Sequence, residues 1–323
     1  MSQPPRLFFT RACFPEIANY LRSAFEVTEN PADRILSRAE LAARLDEYDA
    51  VFAMPSDQFD AELLQQSKRL RMLGLMAVGF NNVDLAAANA RRIMVSNTPD
   101  VLTETTADFG FALLLAAARH VTRAEHWLRA GKWQRWAYDG FLGMDVHHST
   151  LGIIGMGRIG QALARRAAGF SMRVVYCNRR RLAPQVEQAC GASYLSQAEL
   201  LAQADHLILT VPYEAQTRHL IGAAELAQMK PGAVLVNLAR GGVVDDAALA
   251  QALQSGHLGA AGLDVFENEP ALHPALLELE NVVLTPHIAS ASNATRRAMA
   301  KRAADNLLAM AQGRPLDWVN PWE

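Results

Sequence analysis

A glycine turn, a run of arginines and three isolated polar side chains are the residues of this sequence with the types and spacing to do chemistry. Gly155-Met156-Gly157-Arg158-Ile159-Gly160 has the GxGxxG pattern. In such a turn the first glycine permits a tight bend, the second lets backbone approach a phosphate, and the third lets a helix pack closely on a strand. The pattern alone is weak, but its surroundings strengthen it. The apolar run Leu151 to Ile154 precedes it as a buried strand, and residues 161–168 follow it as a helix whose unpaired first amides and dipole attract a pyrophosphate. The reading is a dinucleotide turn, with Arg158 and Ile159 inside it.

At the end of the second strand of such a unit, an Asp or Glu would accept hydrogen bonds from an adenosine ribose. Here Asn178 stands in that place, followed by Arg179, Arg180 and Arg181. A carboxylate would repel a 2′-phosphate, whereas an amide beside guanidinium groups can bind one through charge-assisted hydrogen bonds. The cofactor expected is therefore NADP, preferred over NAD, with Asn178, Arg179 and Arg180 at the phosphate and Arg181 facing solvent. A solvated basic loop is the plain alternative. The three isolated polar residues are Arg240 in Asn237-Leu238-Ala239-Arg240-Gly241-Gly242, Glu269 in Asp264-Val265-Phe266-Glu267-Asn268-Glu269-Pro270, and His287 in Thr285-Pro286-His287-Ile288-Ala289. Taken singly they read as a surface arginine, a loop acid and a structural histidine. Each follows a strand candidate, however, at the carboxyl end where open α/β sheets bind ligands, and as a set they point to a site.

The elements that must position these residues are short apolar runs alternating with longer amphipathic stretches, the pattern of parallel strands joined by helices. The fold class is α/β. Strand candidates at 7–10, 26–28, 50–54, 72–77 and 93–96 supply a small five-stranded sheet, and six more at 151–155, 173–177, 206–211, 233–238, 260–265 and 282–284 fit a doubly wound dinucleotide-binding sheet. Residues 103–119 and 293–312 read as long helices crossing between two domains, and 130–149, with Trp133 and Trp136, as a loop. The organisation expected is two doubly wound parallel-sheet domains. A Rossmann nucleotide-binding domain at 99–288 is inserted in a flavodoxin-like substrate domain made of 1–98 and 289–323.

Lys and Arg number 31 against 33 Asp and Glu, with no long basic block to follow a nucleic-acid backbone. No apolar run is long enough for a membrane span, and Met1-Ser2-Gln3-Pro4-Pro5-Arg6 lacks the pattern of a signal peptide. The three cysteines, Cys13, Cys177 and Cys190, form no CxxC pair and read as buried thiols in a reducing compartment. The expectation is a cytoplasmic protein with no nucleic-acid and no membrane partner.

These segments together resemble the D-isomer-specific 2-hydroxyacid dehydrogenase family over nearly the whole chain. Within it, Asp145-Val146-His147-His148, the glycine turn, Ala261-Gly262-Leu263-Asp264-Val265-Phe266 and the second-strand arginines look like the glyoxylate/hydroxypyruvate reductases, also called 2-ketogluconate reductases, a branch that uses NADPH. The resemblance implies reduction of a small 2-keto acid to a D-2-hydroxy acid by hydride transfer. Hydride arriving at C2 leaves charge on oxygen, so a protonated acid must stand within hydrogen-bond reach. His287 matches the family's acid, Glu269 the partner that fixes its tautomer and favours imidazolium, and Arg240 the donor fork that binds the substrate carboxylate and polarises the carbonyl. Val78 and Gly79 match the family's carboxylate-gripping loop, and Ser290 a residue near the substrate. Asp264 matches the residue at the nicotinamide carboxamide, Thr106 one near the cofactor phosphates, and Val211 and Pro212 the border of the adenine site. The resemblance also implies a homodimer, with the loop of Trp133 and Trp136 at its interface.

No metal is expected. His147-His148 has no acid or cysteine cluster at ligand spacing, and neighbours in an extended chain point to opposite faces. Met72, Met76 and the other methionines read as core filler.

Overall fold

The computed structural model describes residues 3–314 and 316–321. Met1 and Ser2 of the N-terminal stretch read above, and Pro315, Trp322 and Glu323 of the segment 289–323, lie outside the described residues. The chain divides into two compact units, one made of Met1–Leu102 and Ala291–Glu323, the other of Thr103–Ser290.

The first unit holds β1 (Arg6–Phe9), β2 (Glu26–Thr28), β3 (Ala50–Ala53), β4 (Met72–Leu75) and β5 (Met94–Ser96). They pair in parallel in the order β2-β1-β3-β4-β5, the flavodoxin-like arrangement. Leu-Phe-Phe in β1, Ala-Val-Phe-Ala in β3 and Met-Leu-Gly-Leu in β4 are buried without alternation, as strands covered on both faces must be. The Asn293–Ala311 helix sets Met299, Ala300, Ala303, Ala304, Leu307 and Met310 into the core with Leu7, Phe9 and Phe52. A Cβ on Gly74 would stand 2.8 Å from Leu307 Cγ, so this glycine lets the helix lie directly on β4.

The second unit holds β6 (Thr150–Ile154), β7 (Arg173–Cys177), β8 (Ala192–Tyr194), β9 (His206–Leu209), β10 (Val234–Asn237), β11 (Ala260–Leu263) and β12 (Val282–Leu284). Their order is β12-β11-β10-β9-β6-β7-β8, all parallel. The seventh strand, β8, adds to the six read from sequence. It is an edge strand of three residues, Ala-Ser-Tyr, too short and too polar to signal itself. The order reverses between β6 and its neighbours β7 and β9, and the crevice of a doubly wound sheet opens at the carboxyl ends of such strands.

The Thr103–Ala118 helix lies wholly in this unit. It packs on the sheet through small residues: a Cβ on Gly110 would be 2.7 Å from Leu238 Cδ1, and one on Gly262 2.6 Å from Leu113 Cγ. The two long helices therefore each belong to one unit, and the chain passes between units at Leu102–Thr103 and at Ser290–Ala291. Residues 130–149 contain neither helix nor strand. Among the described residues no helix is long and apolar enough to cross a membrane.

Candidate active site

The register of β6 against β7 and β9 sets three loops side by side. Gly155 N donates to Cys177 O and Thr210 N to Ile154 O, so the glycine turn is flanked by the Asn178 loop and by Thr210-Val211. Gly155 has φ 104°, and a Cβ there would be 2.8 Å from Thr210 C and from Val211 N; no other residue fits both the bend and the space. A Cβ on Gly160 would lie 2.5 Å from Gly155 O. Gly157, by contrast, has open space on its Cβ side. It is the N-cap of the Arg158–Ala167 helix and gives that helix no side-chain cap, so no N-cap side chain competes with an anion at its first turn. The cradle fits a pyrophosphate.

The second-strand loop is more committed than its sequence suggests. Asn178 Oδ1 accepts from Met156 N at 2.6 Å, which ties the loop to the glycine turn and leaves the Nδ2 end as the donor for an added group. Arg179 is paired with Glu214, Nη1 to Oε2 at 2.8 Å, and Arg180 is exposed. Arg181 is exposed too, but its guanidinium is held by both oxygens of Glu187 at 2.8 and 2.9 Å. The Arg181 hydrogen bond, aided by the Tyr176 hydroxyl, pushes the Glu187 carboxyl down to about 2.

Arg240, Glu269 and His287 follow β10, β11 and β12. Arg240 is presented by a turn that Asn237 builds: its Oδ1 accepts from Ala239 N at 3.0 Å and its Nδ2 donates to Arg240 O at 3.2 Å. Arg240 Nη1 donates to Ala239 O at 2.8 Å. Burial lowers its guanidinium from the usual value against the opposing charge of Glu269, yet an arginine remains a cation. His287 Nδ1 and Glu269 Oε2 are 2.8 Å apart, and Glu269 Oε1 accepts from Phe266 N at 3.0 Å. Burial pushes the Glu269 carboxyl up, but His287, the Phe266 amide and Arg240 outweigh it and hold the group below the ordinary carboxylate range.

Two residues support this trio in ways the sequence reading did not assign to them. Gly241 is the first. A Cβ there would sit 1.6 Å from Phe266 O, so the turn carrying Arg240 abuts the loop carrying Glu269 with no room for a side chain. Asp264 is the second. His287 has φ 54°, a left-handed backbone that a side-chain-bearing residue adopts only under constraint. The constraint is the buried Asp264 carboxylate, which accepts from Thr285 Oγ1 at 2.7 Å, Ile288 N at 2.8 Å and Ala289 N at 2.8 Å. A second histidine–acid pair, His219 Nε2 to Glu267 Oε1 at 2.8 Å, braces the same loops, since His219 N donates to Gly242 O at 2.7 Å.

Residues 111–289 match the family described as D-isomer specific 2-hydroxyacid dehydrogenase, NAD binding domain. Over 96% of its length the chain is 46% identical to a glyoxylate reductase of Pyrococcus furiosus, of which it covers 93%. The chain belongs to the D-isomer-specific 2-hydroxyacid dehydrogenase family. Among solved structures, an NADPH-dependent glyoxylate/hydroxypyruvate reductase of Sinorhizobium meliloti, in complex with NADP and malonate, is similar at TM-score 0.89 and 36% identity, with 99% of each chain covered. A glyoxylate reductase of Paecilomyes thermophila is similar at TM-score 0.89 and 34% identity, covering 98% of this chain and 99% of that one.

In this member of the dehydrogenase family the remaining candidate residues are distributed over both units. Thr106 is buried in the first turn of the Thr103–Ala118 helix, Val211 borders the glycine turn, Pro212 O accepts from Thr217 Oγ1 at 2.8 Å, and Ser290 closes the second unit. Val78 and Gly79 follow β4 in the first unit, where Asn97 Nδ2 donates to Val78 O at 2.7 Å. His147 and His148 do not point to opposite faces. His148 has φ 59°, so the chain is not extended there, and the two Nδ1 atoms meet at 2.8 Å. Among the described residues no group of three or more His, Cys, Asp or Glu could hold a metal ion.

Proposed function

We propose that this dehydrogenase reduces small 2-keto acids, glyoxylate, hydroxypyruvate and 2-ketogluconate among them, to D-2-hydroxy acids with NADPH. The observation that carries the reading is the 2.8 Å His287–Glu269 pair, beside a cationic Arg240, at the ends of three successive strands of a nucleotide-binding sheet. Arg240 binds the substrate carboxylate and polarises the C2 carbonyl, together with the backbone of Val78 and Gly79, and Ser290 lines the substrate. Glu269 accepts the Nδ1 proton of His287, and the proton given to the carbonyl oxygen is the one on Nε2. The nicotinamide, when bound, supplies the hydride to C2.

For the cofactor, Gly155, Gly157, Arg158, Ile159 and Gly160 would lie along the pyrophosphate, with Thr106 nearby. Val211 and Pro212 would flank the adenine, and Asn178, Arg179 and Arg180 the 2′-phosphate. Asp264, with three bonds already within the chain, would act on the nicotinamide carboxamide only as a shared acceptor, and its first task is to hold the His287 loop. The unit 103–290 is thus the dinucleotide-binding domain, and 1–102 with 291–323 the substrate domain. The working form is a homodimer.

The test is a substrate panel with NADPH and NADH. Keto-acid-dependent NADPH oxidation is expected, with kcat/KM about thirtyfold to several-hundredfold above that for NADH, the discrimination of two partly exposed arginines at a phosphate. No turnover of any keto acid would overturn the reductase reading, and a ratio near or below one would overturn the NADPH reading.

A further inference from the structure

We propose that Glu214 sets how strongly this protein discriminates a 2′-phosphorylated adenosine from an unphosphorylated one, by holding Arg179 in an exchangeable ion pair. The inference rests on the reading that the 2′-phosphate binds at the Asn178–Arg180 loop. Of the three successive arginines, each is committed differently. Arg181 is locked bidentately by Glu187, whose side chain is 11% exposed and also accepts from the Tyr176 hydroxyl at 2.6 Å, so it is a brace of its own loop. Arg180 is exposed. Arg179 alone reaches across from the loop after β7 to the loop after β9, where Glu214 stands.

That partner is fixed in place. Glu214 N donates to Thr217 Oγ1 at 2.8 Å, and the same hydroxyl donates to Pro212 O at 2.8 Å, so the backbone that carries the carboxylate does not drift. The pair itself is open to water, with the Arg179 and Glu214 side chains 69% and 40% exposed. An exposed pair of this kind is weak and exchanges its partner readily. A phosphate dianion beside Asn178 would offer Arg179 a stronger acceptor, while Glu214 competes for the same guanidinium. The carboxylate therefore lowers the affinity for a 2′-phosphate without touching the cofactor's unphosphorylated counterpart, and it keeps Arg179 paired when no phosphate is present.

The experiment measures binding to the cofactor-free protein by calorimetry, with adenosine 2′,5′-bisphosphate and 5′-AMP as probes. In Glu214→Gln the bisphosphate should bind about three- to tenfold more tightly than in wild type, with 5′-AMP unchanged, and the gain should vanish in an Arg179→Ala background. The NADPH/NADH ratio of kcat/KM should rise by the same factor. If wild type prefers the bisphosphate but Glu214→Gln leaves that preference unmoved, the role of Glu214 is overturned and the NADPH reading stands. If wild type binds both probes alike, the NADPH reading falls and this inference with it. A gain of full size in the Arg179→Ala background overturns the route through the arginine.

Discussion

On the proposed mechanism His287 and Arg240 divide the work at the reacting carbon, and the division is measurable. Arg240→Ala should lower kcat/KM about a hundredfold, ~3 kcal/mol of transition-state stabilisation, and a near-wild-type value would remove Arg240 from the substrate. His287→Ala should abolish most turnover yet leave NADPH binding intact; loss of binding instead would make the histidine structural. For pH, the Glu269 carboxyl is depressed in the folded protein, so its share of stability is complete above the ordinary carboxylate value and is lost only as pH falls through the lower, folded one. Glu269 therefore stays ionised down through the ordinary carboxylate value, and the keto-acid reduction it supports should fall on the acid side only below that value. Glu269→Gln should lower kcat and abolish that acid limb, which a pH–rate profile at saturating NADPH would show. At this scale the sequence was informative where a polar residue followed an unmistakable apolar strand, as Arg240, Glu269 and His287 do. It was silent on Glu214, because an ion pair between two surface loops leaves no spacing to recognise.

Among the elements, the strands most readable in advance were those buried on both faces, such as Ala50–Ala53 and Val234–Asn237, whose side chains cannot alternate. The edge strand Ala192–Tyr194 was not readable, since one polar, half-covered run of three residues carries no period. Nor was the meaning of Gly241, because what forbids a side chain there is a carbonyl brought in from another loop. Gly241→Ala must push the Arg240 turn off Phe266. A shift near 1 Å should cost about a hundredfold in kcat/KM while far-ultraviolet dichroism stays native. Asp264→Asn should deprive at least one of its three donors of an acceptor and lower stability by about 1–3 kcal/mol, read as a lower denaturant midpoint. An unchanged midpoint would mean that the His287 loop holds its left-handed turn unaided.

For the molecule as a whole, the Val121–Arg129 helix has no buried residue, and Trp133, Trp136, Tyr138 and Leu142 are 60%, 79%, 81% and 71% exposed. On the proposal of a homodimer this exposed apolar surface is where its interface is expected, and Trp136→Glu should shift a dimer to monomer in sedimentation at micromolar protein. The division of the chain has a consequence for its synthesis. Thr103–Ser290 is one continuous stretch with both of its hydrophobic clusters internal, so it can complete its fold while the ribosome is still at work. The first sheet cannot. Although its five strands are made earlier, Leu7, Phe9, Phe52 and Met72 wait uncovered for Met299, Ala303 and Leu307, which emerge only after the second unit. A chain released just after Ser290 would carry a finished half and a sheet with one bare apolar face, so the later-made helix decides whether the earlier-made sheet stays covered.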